Sequence, residues 1–125
     1  MYTYYNNNPN INPSASDCVI RAIAMFLDSD WDTIYLRLMV EGFAIKYMPN
    51  DNITWTTFLE KLGYKRRAIP DTCPMCYTIE DFSIDHPDGV YLVCTGTHVT
   101  CIVDGIIHDK WNPSNETCLY YFERG

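Results

Sequence analysis

A thiol, an imidazole and a carboxylate in this chain are spaced for chemistry on a carbonyl group. Cys18 stands at the start of an apolar run, Cys18-Val-Ile-Arg-Ala-Ile-Ala-Met-Phe-Leu27. His98 and Asp109 lie in two β-branched runs separated by Asp104-Gly105. A thiolate is the nucleophile in such chemistry, and a free cysteine with a pKa of about 8.5 supplies only a few per cent of it at neutral pH. A helix N-terminus and a neighbouring imidazolium both lower that pKa. Cys18 has the first from its own helix, and His98 is placed to provide the second. His98 then returns its proton to the leaving group. The oxyanion needs donors, which the Cys18 backbone N–H and one side-chain amide can supply.

The pairing of His98 with Asp109 rests on strand parity. Asp-Gly between two apolar runs signals a two-residue hairpin turn. With Asp104-Gly105 at the turn, Val103 faces Ile106, Ile102 faces Ile107, Thr100 faces Asp109 and His98 faces Trp111. Side chains alternate along a strand, so His98, Thr100 and Ile102 share a face with Ile107, Asp109 and Trp111. His98 and Asp109 are then diagonal neighbours, roughly 7–8 Å apart at the backbone, within reach of long side chains. Asp109 is expected to accept the Nδ1 proton of His98 and so fix its tautomer. His108 and Asn112 fall on the other face. A one-residue bulge would flip the whole assignment.

The positioning elements follow from the pattern. Residues 1–13 are rich in Asn, Tyr and Pro without a period, and read as an extended arm along the domain. Ser14-Ala-Ser-Asp17 matches a capping box before a helix from about Ala15 to Leu27, apolar nearly all round and therefore buried. Asp28-Ser-Asp30 breaks the chain and caps a second helix, Trp31 to about Phe43, with a stripe of Trp31, Ile34, Tyr35, Leu38 and Met39. After a loop at 48–52, Thr54 caps a short helix, Trp55 to Leu62, ended by Gly63. Tyr64–Ile69 reads as a strand and Pro70–Pro74 as a loop. Thr78-Ile-Glu-Asp81 is a second capping box, for a helix to about Asp85, followed by a turn at His86–Gly89. From there the period becomes that of strands: Val90–Thr95, His98–Val103, Ile106–Trp111 and Thr117–Phe122. Helices first, then a mostly antiparallel sheet, make the class α+β.

The 125 residues fit one domain, 1–125. At 47% hydrophobic and 20% charged the composition is that of a folded chain. The net charge of −7, with Lys65-Arg66-Arg67 as the sole basic cluster, gives no nucleic-acid footprint. No stretch approaches the ~20 apolar residues of a membrane span. The first residues lack the basic start and apolar run of a secretory signal, so a cytoplasmic location is expected, with the six cysteines mostly reduced. Cys73-Pro-Met-Cys76 has zinc-knuckle spacing, but no second Cys-x-x-Cys or His pair follows. His86, Cys94 or Cys101 would have to complete the ligand set. The favoured reading is two loop cysteines with no metal and no cofactor. Cys94, Cys101 and Cys118 read as packing residues, and Trp111 as a core or shielding aromatic.

Cys18, His98 and Asp109, in that order and on a helix start and two neighbouring strands, resemble the papain-like cysteine peptidase superfamily. The resemblance points to its small bacterial and phage members related to NlpC/P60 and C39-like peptidases, in element order from Asn12 to about Tyr121. It implies a hydrolase: Cys18 attacks, His98 acts as base then acid, Asp109 orients His98, and a thioester acyl-enzyme forms on a peptide or protein substrate. Relatives of papain carry an oxyanion Gln six residues before the cysteine; this chain has Asn12 there, a shorter amide. The Cys-Gly-Ser-Cys-Trp signature of papain itself is absent. Of Asp109 and Asn112, Asp109 fits the hairpin geometry as third residue. Two alternatives stay open: a catalytically silent papain-fold binding module, and a zinc-stapled interaction domain built on Cys73 and Cys76. Hydrolysis and acyl transfer would use the same residues.

Overall fold

Strand β4 is the centre of the architecture, because the helix that begins at Cys18 packs on it and the hairpin turn fixes its register. A computed structural model describes residues 1–11, 16–70 and 74–124. In chain order the elements are β1 (Tyr2–Tyr4), α1 (Cys18–Phe26), α2 (Trp31–Ile45), α3 (Asn52–Lys61), β2 (Arg67–Ala68), α4 (Ile79–Asp85), β3 (Val90–Cys94), β4 (Val99–Val103), β5 (Ile106–Asp109) and β6 (Tyr120–Glu123). The strands form one sheet in the order β1-β5-β4-β3-β6-β2. The class is α+β, four helices on a six-stranded sheet.

The Asp104-Gly105 turn forms as its residues require. Both have positive φ, +50° and +77°, as a type I′ turn demands. The register follows from it: Val103 faces Ile106, Ile102 faces Ile107 and Cys101 faces His108. Alternation holds over these three paired positions. Leu92, Cys94, Val99, Cys101 and Phe122 pack with α1, α2 and α3. Tyr91, Val93, Ile102 and Ile107 pack with Ile79 and Phe82 of α4 on the opposite side. Each fully buried Phe, Leu or Ile there contributes roughly 1.5–3 kcal/mol relative to exposure.

Several boundaries differ from the sequence reading. The sheet is mixed, because the arm contributes β1, which lies parallel to β5 with Tyr4 opposite Asp109. Helix α1 begins at Cys18 rather than Ala15, and Asp17 does not cap it with its side chain. That carboxylate is engaged in tertiary bonds instead; Ser14 and Ala15 lie outside the described residues. Helix α3 begins at Asn52, capped by Asp51, whose carboxylate accepts from the N–H of Ile53 at 2.9 Å. Thr54 is no cap: it is fully buried, and its hydroxyl has no partner among the described residues. The Tyr64–Ile69 strand shrinks to Arg67–Ala68, both exposed, on the sheet edge, where charged side chains limit further pairing. In α2 only Ile34 and Leu38 of the expected stripe are fully buried; Tyr35 and Met39 are exposed. The Thr78 capping box and α4 form as expected, with both reciprocal bonds present. Among the described residues no helix is long and apolar enough to cross a membrane.

Candidate active site

Cys18 is the first helical residue of α1, in the turn whose N–H groups lack intrahelical partners. His98 immediately precedes β4 and is held there by a tight turn. Thr95 N–H donates to the His98 carbonyl at 2.8 Å, and the Thr95 hydroxyl accepts from the N–H groups of His98 at 2.8 Å and Thr97 at 3.1 Å. Asp109 closes β5 and is 1% exposed, while His98 is 8% exposed.

The three sequence-predicted residues meet. His98 Nε2 lies 2.7 Å from Asp109 Oδ2. It is therefore Nε2, not the expected Nδ1, that faces the acid, leaving the other ring nitrogen for the thiol. Cys18 and His98 are close enough that each shifts the other's pKa. Burial pushes the Cys18 thiol up, but the His98 hydrogen bond, the Val99 backbone and the charges of His98 and Arg21 outweigh it and hold the pKa below its ordinary value. Burial pulls His98 down, but its bonds to Asp109 and Cys18 raise its pKa to about 9. Burial would raise Asp109, yet bonds from His98, Thr100 and Arg21 keep it below the usual carboxylate range. These directions together favour a thiolate–imidazolium pair beside a carboxylate.

The trio opens onto a cleft of about 600 Å³. Its walls include Asn50 and Asn52 ahead of and at the start of α3, Gly96 and Thr97 of the turn before His98, and Lys110 and Trp111 after β5. Trp111 is 45% exposed and its ring centroid is 4.5 Å from that of His98. It shields the imidazole and is not a core residue. Asn12 lies outside the described residues. Asn52 brings a different amide to the cleft: its Oδ1 accepts from Trp55 Nε1 at 2.9 Å, which leaves its NH₂ as a donor.

No family model, curated protein or solved structure matches the chain. The site must be read from its own chemistry.

Sequence reasoning missed Arg21. Its guanidinium donates from Nε to Asp17 Oδ1 at 2.8 Å and from Nη1 to Asp109 Oδ1 at 3.0 Å. Asp17 Oδ2 accepts from Asn8 Nδ2 and Trp31 Nε1, both at 2.9 Å. The signal was present: Arg21 is the one charged residue in α1. The zinc alternative rests on Cys73 and Cys76, of which Cys73 lies outside the described residues. Among the described residues no group of three or more His, Cys, Asp or Glu side chains could hold a metal. Cys76 is exposed. His86 stacks on Phe82, and Cys94 and Cys101 are buried in the helix-side core.

Proposed function

We propose that this chain is a papain-like cysteine hydrolase acting on an amide bond of a peptide or protein. The observation that carries this reading is that Cys18 and His98 line one open cleft, with His98 bonded through Nε2 to the buried Asp109 at 2.7 Å. The Cys18 thiolate attacks the carbonyl carbon, and the pair of electrons displaced onto oxygen is stabilised by first-turn N–H groups and a cleft amide. The tetrahedral intermediate collapses as the His98 imidazolium donates its proton to the departing amine, leaving a thioester on Cys18. A water then attacks the thioester and gives a proton to His98. Collapse releases the acid and restores the thiolate–imidazolium pair. Asp109 holds the imidazole in one orientation and supports its positive charge throughout. An acceptor amine in place of water would turn the same site to acyl transfer. The five described cysteines are all free thiols.

The test is the alkylation rate of Cys18 by iodoacetamide against pH, read by mass spectrometry, with His98→Ala beside the wild type. A thiolate persisting well below the ordinary thiol pKa in the wild type, and lost in His98→Ala, supports the activated pair. A rate that rises only near the ordinary thiol pKa in both proteins makes Cys18 a structural residue and leaves a binding module as the reading.

A further inference from the structure

We infer that Arg21 is a positioning residue, which orients Asp109 against His98 and ties that orientation to the helix carrying Cys18. The inference rests on the Cys18–His98–Asp109 reading and adds the device that holds it in register. A carboxylate turns readily about its terminal torsion, which is broad and roughly two-fold. Asp109 is not free to do so. Its Oδ1 accepts from Arg21 Nη1 at 3.0 Å and from the Lys110 N–H at 2.7 Å. That leaves Oδ2 for His98 Nε2 at 2.7 Å. The two oxygens are thus divided between an anchor and the imidazole.

The anchor is itself anchored. Arg21 is 7% exposed, and a buried guanidinium is tolerated only when it is fully paired. Its second carboxylate, Asp17, is the residue before Cys18 and is fixed in turn by Asn8 from the N-terminal arm and Trp31 from α2. Arg21 follows Cys18 by three positions, so nucleophile and anchor lie on one side of one helix. Displacement of α1 then carries the thiol and the acid's anchor together. A planar fork can bridge two carboxylates in this way, and an ammonium cannot reproduce it.

A bare charge at position 21 would act in the opposite sense from an anchor, which makes the idea testable. As a charge, Arg21 offsets Asp109 and so lowers the basicity of His98; its removal would raise the His98 midpoint. As an anchor, it keeps Asp109 on His98; its removal frees the carboxylate and lowers the midpoint. The other groups around the imidazole are Cys18 and Asp17 from the α1 side, and Asp109 and Lys110 from β5 and the residue after it. The cleft-lining residues of the 95–97 turn and of the α3 start, Asn50 and Asn52, are uncharged.

The experiment is an NMR titration of the His98 ring nitrogens in the full chain, for wild type, Arg21→Met and Arg21→Lys, with near-ultraviolet circular dichroism to follow packing. The wild-type midpoint is expected near 9. Arg21→Met is expected to lower it by roughly one pH unit or more, and Arg21→Lys by less. The neutral ring should lose its preference for the proton on Nε2 in Arg21→Met. A midpoint in Arg21→Met that is unchanged or raised overturns the positioning role. If Arg21→Met does not fold, Arg21→Lys and Asp17→Asn carry the same test with the same sign, and an unchanged midpoint in both overturns it. A wild-type midpoint near the ordinary 6.5 overturns the bond between His98 and Asp109 itself and both readings with it. A raised wild-type midpoint that the Arg21 variants leave in place overturns Arg21 alone.

Discussion

Strand β4 ends in two turns of different kinds. At its C-terminal end, Asp104 and Gly105 take the positive φ values of a type I′ hairpin, and backbone geometry alone sets the register. At its N-terminal end, Gly96 and Thr97 form a turn held by a side chain, the Thr95 hydroxyl, on the N–H groups of Thr97 and His98. The first turn decides which residues face each other, and the second aims one of them. A hairpin can therefore carry chemistry at one end and its specification at the other, with five strand residues between. Damage to the His98 end should alter rate and pH profile. Damage to the Gly105 end should alter stability first.

The largest break is the removal of a reacting group. Cys18→Ala is expected to abolish turnover and active-site labelling, and His98→Ala to lower turnover roughly 10²- to 10⁴-fold, measured with a peptide substrate or acylating probe. Next comes Asp109→Asn, which should slow turnover by less than the loss of His98 does, through a wrong tautomer. It also leaves Arg21 short of a carboxylate, at about 3 kcal/mol of stability by denaturant unfolding. Thr95→Val leaves two N–H groups without an acceptor, so a loss of roughly 1–2 kcal/mol is expected, together with a fall in turnover that sharpens the claim that this turn aims His98. Gly105→Ala is the smallest. A side chain at φ +77° costs roughly 1–2 kcal/mol, and its Cβ would meet the Ser83 carbonyl oxygen at 3.3 Å. The Cys18 alkylation profile of that variant should match the wild type; a changed profile would erase the distinction between the two ends.

The pH dependence follows from the same groups. His98, raised to about 9, contributes stability in full below its ordinary 6.5 and loses it as pH rises through 9. Cys18, lowered from its ordinary 9, loses its contribution as pH falls through its folded value. The two run against each other, so the loss of stability from His98 as pH rises from about 6.5 towards 9 is offset in part by Cys18. Asp17 and Asp109, both lowered from 3.8, contribute above that value and lose it as pH falls through their folded values. Melting by calorimetry should therefore drop steeply on the acid side. Turnover should fall on the alkaline side near 9 as His98 loses the proton the leaving group needs.

How much of this was legible depended on whether a residue's local role was also its final one. Asp104-Gly105, Thr78-Asp81 and the strand alternation use only neighbours, and each formed as read. Asp17 did not: its spacing says cap, but its carboxylate is taken by Arg21, Asn8 and Trp31, and α1 starts later as a result. Parity on the tight hairpin made the register legible, but not the meeting with Cys18. Ile102 and Ile107, of the same parity, pack on the α4 side, while His98 lies before β4 and Asp109 at the end of β5, where both reach α1. Which imidazole nitrogen faces the acid was not legible either, because that depends on the turn at Thr95 and on where α1 lies. Arg21 was visible as an isolated charge in an apolar helix, but its partner Asp109 is 88 residues away. The parallel pairing of β1 with β5 was hidden for the same reason.

That pairing has a consequence for the order of events during synthesis. Tyr2 reaches Asp109, 107 residues further on, through its hydroxyl at 3.0 Å, and the Tyr5 N–H donates to the Asp109 carbonyl at 2.8 Å. Asn7 and Asn8 then fasten the same stretch to Arg21 and Asp17. Strand β1 thus has no sheet partner until β5 has been made, although Asn7 and Asn8 can already fasten to α1 and the residue before it. Contacts of such long range form slowly, after local ones. A nascent chain in which β4 and β5 have not yet been made holds Cys18 without His98 and Asp109, so on the proposed reading its thiol is not yet activated.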